Sequence, residues 1–306
     1  MHAVIKRSAR SVIGIRCQKV GLSELRLRSL LLNYFSENEI YFIIDRKAAS
    51  LEANFSSQKT LVVDVRRLGL EGCKDWGWRC GDFFYYAFIS HVEADFYYLI
   101  EPDVWFTNKT GQHIFRCMND VAADFAAYNL GVADLGWYWR QSMLGGSDLV
   151  YKCAFPFTRL SHRAVSHLLN RRAAMDKLKS GSNYPNDESF VATTICSNAT
   201  LDYFSLENIP DLNWKYFSTV RTRPREFCNK DNFIYHSALD FDEFSKKINR
   251  FIEKAGAADL SKLNSIFDFA FFNSGPNEEF IEKFTLTLGK PFDEIFSRWV
   301  KSRAIA

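Results

Sequence analysis

The run from Phe96 to Ile100 constrains the fold of this chain most strongly. Five consecutive apolar or aromatic residues are typical of a short strand that is buried on both faces. The run is followed directly by Glu101-Pro102-Asp103, and the strand is predicted to end there because Pro102 cannot donate a hydrogen bond to a neighbouring strand. Side chains at positions i and i+2 of an extended segment share a face, so Glu101 and Asp103 are expected to converge.

This acidic segment has two interpretations. Two convergent carboxylates at the end of a buried strand suit Mg²⁺ or Mn²⁺, with the other coordination positions left to water and substrate phosphates. An acidic-proline-acidic tripeptide is also typical of a plain turn, in which Pro102 fixes φ and Asp103 bonds nearby backbone. The surrounding sequence favours the metal site, because a predicted buried helix and a buried strand come directly before it.

Apolar runs of strand length alternate with helical patterns along the chain. This alternation predicts an α/β domain with a mostly parallel, doubly wound sheet. The segment from Trp76 to Asp82 is predicted to be a loop, with Asp82 as the N-cap of a buried helix from Phe83 to Val92. The other predicted strands are Val12–Ile15, Ile40–Ile44, Leu61–Val65, Val121–Tyr128, Tyr151–Phe157, Thr200–Phe204 and Asn232–His236.

The composition is that of an ordinary globular protein. Of the 306 residues, 47% are hydrophobic and 25% are charged, which allows a sizeable core. The net charge of +3 is too small to indicate nucleic-acid binding. No apolar run approaches the roughly 18 residues needed to span a membrane. The seven cysteines are odd in number and form no Cys-x-x-Cys pair, so reduced thiols and a cytoplasmic location are predicted.

The pattern divides the chain into three segments. Residues 1–10 are predicted to form a basic tail, residues 11–240 the α/β domain, and residues 241–306 a helical appendage. Near its end the appendage places Trp299 beside Arg298 and Lys301 in an amphipathic stripe. Such a stripe suits peripheral contact with a membrane surface or a partner, although packing against the core is its more common role.

Two motifs in this order resemble the GT-A type of glycosyltransferase. They are Arg79-Cys80-Gly81-Asp82 ahead of the buried helix and the strand that ends in Glu101-Pro102-Asp103, with Glu101 in place of the first Asp of the DxD motif. The resemblance covers roughly residues 11–240. It implies an α/β/α sandwich that binds a nucleotide-diphosphate sugar with Mn²⁺ or Mg²⁺ and transfers the sugar to a glycan or lipid-linked acceptor. By resemblance, Asp103 binds the metal and Glu101 helps to hold the metal or the ribose.

The resemblance also implies roles farther along the chain. A histidine near the end of the core commonly supplies a further metal ligand in GT-A enzymes, and His236 is in that position. Asp187 and Glu188 resemble the acidic pair that supplies the catalytic base of inverting members, although helix-start carboxylates also occur without any function. Trp137 and Trp139 are candidates for stacking on a sugar acceptor, although aromatic clusters are more often core. The candidate donor-binding residues are Arg16, Asp82, Glu101, Arg221, Arg223 and Arg225.

Three other functions compete with this hypothesis. A phosphohydrolase would need an Asp nucleophile where Glu101 stands, and the longer side chain would displace the attacking oxygen. A nucleotidyltransferase usually carries a glycine-rich basic loop after the first strand, and residues 17–21 are poor in glycine. A catalytically degenerate GT-A-like domain would bind a partner without metal-dependent nucleotide affinity. The sequence leaves open the donor sugar, the base, the acceptor, the stereochemistry, the oligomeric state and the choice between Asp187 and Glu188 as base.

Overall fold

The computed structural model describes residues 9–45, 59–70, 75–143, 149–176, 184–214, 217, 221–222 and 232–239, together with residues 243, 246, 250, 294, 297, 298 and 301. The chain divides into two compact units. The first comprises Met1–Val104 and Asn108–Leu212, and the second comprises Trp105–Thr107 and Asn213–Ala306.

The helices and strands are numbered in chain order. They are β1 (Ser11–Cys17), α1 (Leu22–Leu31), β2 (Ile40–Asp45), β3 (Thr60–Val63), α2 (Trp76–Arg79), α3 (Asp82–Ile89), β4 (Phe96–Ile100), β5 (Trp105–Phe106), α4 (Asn108–Asn119), β6 (Phe125–Val132), α5 (Arg140–Met143), β7 (Tyr151–Ser161), α6 (His162–Asp176), α7 (Asp187–Cys196), β8 (Tyr203–Ser205), β9 (Arg221–Thr222), β10 (Ile234–Tyr235) and β11 (Ala238–Leu239).

The described part of the first unit is built on a seven-stranded sheet in the order β3-β2-β1-β4-β7-β6-β8. Strand β7 runs antiparallel to both of its neighbours, β4 and β6, and the other four pairs are parallel. Helices flank this sheet. Helix α3 is buried from Asp82 to Phe88, as its almost wholly apolar sequence predicts. The predicted α/β fold with a mostly parallel sheet is confirmed.

Several predicted boundaries are wrong. Strand β6 begins at Phe125 and not at Val121, because the buried Arg159 binds the carbonyls of Met118, Val121 and Ala123 and holds that segment outside the sheet. Strand β8 begins at Tyr203, since residues 198–200 form a turn closed by the Asn198 side chain. The predicted loop at residues 76–82 contains the one-turn helix α2.

The second unit contains two short strand pairs among its described residues. In the antiparallel pair of β5 and β10, Ile234 lies opposite Phe106 and Tyr235 lies opposite Trp105. Strands β9 and β11 pair in parallel. His236 directly follows β10, and its backbone N–H donates to the carbonyl of Phe217 at 3.0 Å. The predicted last strand is therefore present but shorter than residues 232–236.

Much of the predicted helical appendage lies outside the described residues. Within residues 241–306, Glu243, Lys246, Arg250, Glu294, Ser297, Arg298 and Lys301 are helical. The described helices include none with the length and hydropathy of a membrane span. The division into three segments, the cytoplasmic location and the peripheral membrane contact stay predictions.

Candidate functional site

The candidate site begins where β1 and β4 end at the same edge of the sheet. These strands are parallel neighbours, and Ile15 lies opposite Ile100. The residues that come next in the chain, Arg16 and Glu101, therefore lie side by side. Arg16 Nη1 lies 3.0 Å from Glu101 Oε1. The carboxyl ends of parallel strands are the usual ligand-binding edge of such a sheet.

Arg16 joins this strand edge to helix α7. Its Nη1 also lies 3.3 Å from Asp187 Oδ2, and its Nη2 donates to the carbonyls of Gly77 at 2.9 Å and Trp78 at 2.6 Å. Burial opposes the charged guanidinium, but the carboxylates of Glu101 and Asp187 outweigh it and raise the pKa of Arg16. The Arg16 side chain is 6% exposed, and both of its terminal nitrogens bind protein atoms, so its predicted nucleotide contact stays a prediction.

Asp187 is the first residue of α7 and is buried in a set of hydrogen bonds. Asn186 caps the helix by accepting from the backbone N–H of Ser189. Asp187 Oδ2 accepts from the N–H of Gly81 at 2.7 Å, and Oδ1 accepts from the N–H of Glu188 at 2.8 Å. Burial raises the pKa of Asp187 to about 7, although Arg16 and Gly81 favour its charged form.

Glu188 is half-buried, so it is the more accessible member of the acidic pair. Burial and then the charge of Asp187 raise the pKa of Glu188 to about 8, against the lowering effect of hydrogen bonds from Phe155 and Asn186. The start of α7 therefore carries two carboxyl groups with raised pKa values. Groups of this kind are concentrated at functional sites, where proton transfer needs a pKa near the working pH.

Gly81 allows the close approach between the start of α3 and the start of α7. A Cβ atom at this position would lie 2.6 Å from Asp187 Oδ2 and 2.6 Å from Cε1 of Phe155. Real Cβ atoms do not approach neighbours so closely, so only glycine fits without a shift. The sequence interpretation included Gly81 in a motif but gave it no role of its own.

Asp82 does not act as predicted. Gly81 occupies the N-cap position, and Asp82 is the first residue of α3. Its carboxylate is fully buried and binds Arg172 at both oxygens, at 2.7 and 2.8 Å, while the hydroxyl of Tyr86 donates to Oδ2 at 2.7 Å. The structure thus shows Asp82 in an internal ion pair, and its predicted nucleotide contact stays a prediction. Arg172 also donates to the carbonyl of Pro185, which leads into α7.

The acidic segment after β4 has both of the predicted properties. Pro102 and Asp103 form a turn, and the N–H of Val104 donates to the carbonyl of Glu101 at 3.1 Å. Glu101 and Asp103 are half-buried, and a carboxylate oxygen of one lies within 4.8 Å of a carboxylate oxygen of the other. The two side chains therefore converge, as the i and i+2 spacing predicts.

The structure describes only some of the predicted site residues of the second unit. His236 is half-buried in the second unit, with its ring 5.3 Å from that of Phe217. The backbone of Arg221 lies in β9, and Arg223 and Arg225 lie outside the described residues. Their predicted roles stay predictions.

The two candidate acceptor tryptophans differ in their surroundings. Trp137 is half-buried and packs against the core. Trp139 contacts Trp78, whose ring centroid lies 5.9 Å away in an edge-to-face arrangement, and the guanidinium of Arg79 lies 5.3 Å from the Trp139 ring. Trp78 was not predicted as a site residue, because its place in a short helix beside Trp139 depends on a contact between distant segments.

Comparisons with known proteins gave only distant structural matches. No protein-family model matches the chain, and no curated protein matches it. A synthetase for CMP:2-keto-3-deoxy-manno-octonic acid, solved with CTP, is 10% identical, covers 65% of this chain and 90% of its own, and has a TM-score of 0.36. Mannose-1-phosphate geranyltransferase from Thermus thermophilus is 8% identical, and the match covers 66% of this chain and 70% of its own, with a TM-score of 0.30. The apo form of mouse xyloside xylosyltransferase 1 is 11% identical, and the match covers 74% of this chain and 97% of its own, with a TM-score of 0.37.

These values are too low for the matches to define a substrate or a reaction. The first unit has a mostly parallel sheet with flanking helices and an acidic pair directly after β4. The α/β fold that the sequence resemblance implies is present.

Proposed function

We propose that the protein is a metal-dependent glycosyltransferase, which moves a sugar from a nucleotide-diphosphate donor to a hydroxyl group of a glycan or lipid-linked acceptor. The observation that carries the proposal is the bridge made by Arg16. Arg16 binds Glu101, which forms the candidate metal-binding pair with Asp103 after β4. It also binds Asp187, which forms the acidic pair with Glu188 at the start of α7. Carboxylates suited to a cation and carboxylates suited to proton transfer thus belong to one site.

In this proposal Glu101, Asp103 and His236 hold Mn²⁺ or Mg²⁺. All three side chains are half-buried, and each offers a ligand atom. Two carboxylates and one imidazole fit Mn²⁺ well and leave positions for the oxygens of a diphosphate. When bound, the cation would neutralise the charge of the diphosphate leaving group. Arg221, Arg223 and Arg225 would add positive charge to the same group.

Glu188 is the proposed catalytic base. Both oxygens of Asp187 accept hydrogen bonds from the backbone, so Asp187 is held in place and shields part of the positive charge of Arg16. Glu188 is more exposed, and its raised pKa makes its ionised form a better proton acceptor than an ordinary carboxylate. In this role Glu188 takes the proton of the acceptor hydroxyl as that oxygen attacks the sugar.

The same bridge supports one competing function. Arg16 neutralises Glu101 from within the protein, as a cation would, and this arrangement also suits a degenerate domain that binds a partner and has lost its metal. The two functions differ in one measurable property, which is nucleotide affinity that depends on a divalent cation.

Calorimetric titration of UDP and GDP, with and without Mn²⁺, tests the proposal. We expect one of the two nucleotides to bind only with Mn²⁺, and we expect this binding to be lost in Asp103→Ala. The matched control is Asp120→Ala, which removes an exposed carboxylate at the end of α4 and should bind like the wild type. Absence of nucleotide binding in a folded wild-type protein would refute the transferase and favour the degenerate domain.

A further inference from the structure

Three aromatic side chains form a solvent-facing cluster on the first unit. The aromatic cluster consists of Trp78 from α2 and of Tyr138 and Trp139 from the segment before α5. The ring of Trp139 lies 5.9 Å from Trp78 and 4.5 Å from Tyr138, with edge-to-face geometry at both contacts. Trp78 is 67% exposed and Tyr138 is 77% exposed. Large aromatic faces gain free energy when a ligand covers them, so a cluster of exposed rings indicates a binding surface.

Polar contacts fix the Trp78 side of the aromatic cluster beside the acidic pair. The carbonyl of Trp78 accepts from Arg16, the residue that also binds Asp187. Arg79 donates to the carbonyl of Tyr184, three residues before Asp187, at 2.5 Å. Helix α2 is thus connected to the segment that opens α7 through the side chains of Arg16 and Arg79.

The other side of the aromatic cluster is fixed to the same helix. Ser142 donates to the carbonyl of Trp139 at 2.8 Å, and its hydroxyl lies 3.4 Å from that of Ser189 in the first turn of α7. Both segments that carry the rings therefore contact the start of α7, where Glu188 lies. The aromatic cluster is thus anchored to the helix that carries the proposed base.

We infer that the aromatic cluster binds the acceptor and that it stacks on a pyranose ring of that acceptor. The inference rests on the proposed function for the nature of the acceptor. A pyranose presents C–H groups on its faces, which pack well on the electron-rich face of an aromatic ring, and hydroxyl groups on its rim, which need polar partners. Trp78 and Tyr138 supply the exposed rings, and Glu188 supplies a carboxylate for a hydroxyl group.

A charged group beside the rings favours a sugar as the ligand over a lipid surface or a protein helix. The guanidinium of Arg79 lies 5.3 Å from the ring of Trp139, so a charged group borders the cluster. A wholly apolar ligand would have to cover this charged group, which is unfavourable, whereas a sugar keeps polar hydroxyl groups on its rim. The predicted acceptor role thus passes from Trp137, which packs on the core, to Trp78 and Tyr138 together with Trp139.

The test is saturation-transfer NMR with methyl glycosides of glucose, galactose and N-acetylglucosamine, in the presence of UDP and Mn²⁺. We expect ring C–H protons of at least one glycoside to receive saturation from the protein. The dissociation constant should rise about tenfold or more in Trp78→Ala and in Tyr138→Ala, and less in Trp78→Phe. Leu135→Ala is the matched control, because Leu135 is 80% exposed in the same region and lies outside the cluster.

The calorimetric titration of UDP and GDP separates this inference from the proposed function. Trp78→Ala keeps its backbone carbonyl for Arg16, so its Mn²⁺-dependent nucleotide binding should equal that of the wild type. Nucleotide binding without any glycoside binding, or glycoside binding that Trp78→Ala and Tyr138→Ala leave unchanged, would overturn the inference and spare the transferase. Glycoside binding that depends on Trp78 in a protein without nucleotide affinity would support the sugar surface and refute the transferase.

Discussion

Replacement of Glu188 by Gln should make the protein more stable at neutral and alkaline pH. The pKa of Glu188 is raised from 4.5 to about 8, chiefly by burial and then by the charge of Asp187. Since a tenfold change in a protonation constant corresponds to about 1.4 kcal/mol, ionisation of Glu188 in the folded protein costs up to about 5 kcal/mol. Glutamine has the same shape and never ionises, so Glu188→Gln avoids this cost.

The sign of the pH dependence follows from proton binding. Below pH 4.5 the carboxyl group is protonated in the folded and the unfolded chain, and its pKa has no effect on stability. Between pH 4.5 and about 8 the folded protein keeps a proton that the unfolded chain has released. The free energy of unfolding of the wild type therefore falls relative to Glu188→Gln as pH rises, by about 3–4 kcal/mol between pH 5 and 8.

Urea denaturation of the wild type and Glu188→Gln at pH 5, 6, 7 and 8 measures this difference. Comparison at each pH cancels the titration of all groups that the two proteins share. Glu93→Gln, which makes the same substitution at an exposed position, is the matched control. A constant difference for Glu188→Gln, or a wild type that gains stability relative to it as pH rises, would refute the assignment of a raised pKa to Glu188.

The structure leads to three further predictions. Arg172→Met leaves the carboxylate of Asp82 buried without its ion pair, so it should lower the free energy of unfolding in urea titrations by about 3–5 kcal/mol. Arg171→Met, at the neighbouring exposed position, should change the free energy of unfolding little. Gly81→Ala places a Cβ against Asp187 and should cost about 1–3 kcal/mol by the same measurement; a cost near zero would contradict the close packing. Glu188→Gln should reduce kcat/KM for sugar transfer by about 10²- to 10⁴-fold. The kcat/KM of the wild type should rise as the pH is raised to about 8, because Glu188 then ionises. An unchanged rate in Glu188→Gln would exclude Glu188 as the base.

The sequence predicted those parts of the site that depend on neighbouring residues. The strand Phe96–Ile100, the turn after it and the convergence of Glu101 and Asp103 all follow from local patterns, and all are present. The start of α7 at Asp187 was predicted for the same reason, because helix-start signals lie within a few residues of one another.

Contacts between distant segments were not predictable in the same way. Arg16 was identified as a site residue, but its partner Asp187 lies 171 positions along the chain, and no local pattern reports such a pair. Asp82 is predicted from the sequence as a helix N-cap and a candidate nucleotide contact, and nothing near it in the sequence indicates an ion pair. Its partner Arg172 is 90 positions away, and only the packing of α3 against α6 shows that the pair is internal.

The bridge made by Arg16 also gives two adjacent carboxyl groups different electrostatic surroundings. For Asp187, burial raises the pKa, but the nearest charge is the guanidinium of Arg16 and acts in the opposite direction. For Glu188, burial raises the pKa and the next charge, that of Asp187, acts in the same direction. The charge beside Asp187 therefore opposes the effect of burial, whereas the charge beside Glu188 adds to it. Removal of the positive charge in Arg16→Met would take away this distinction, because Asp187 would then lose the interaction that favours its ionised form. In the proposed transferase, Arg16 would therefore hold Asp187 as a fixed part of the scaffold, and proton exchange with an acceptor hydroxyl would fall to Glu188.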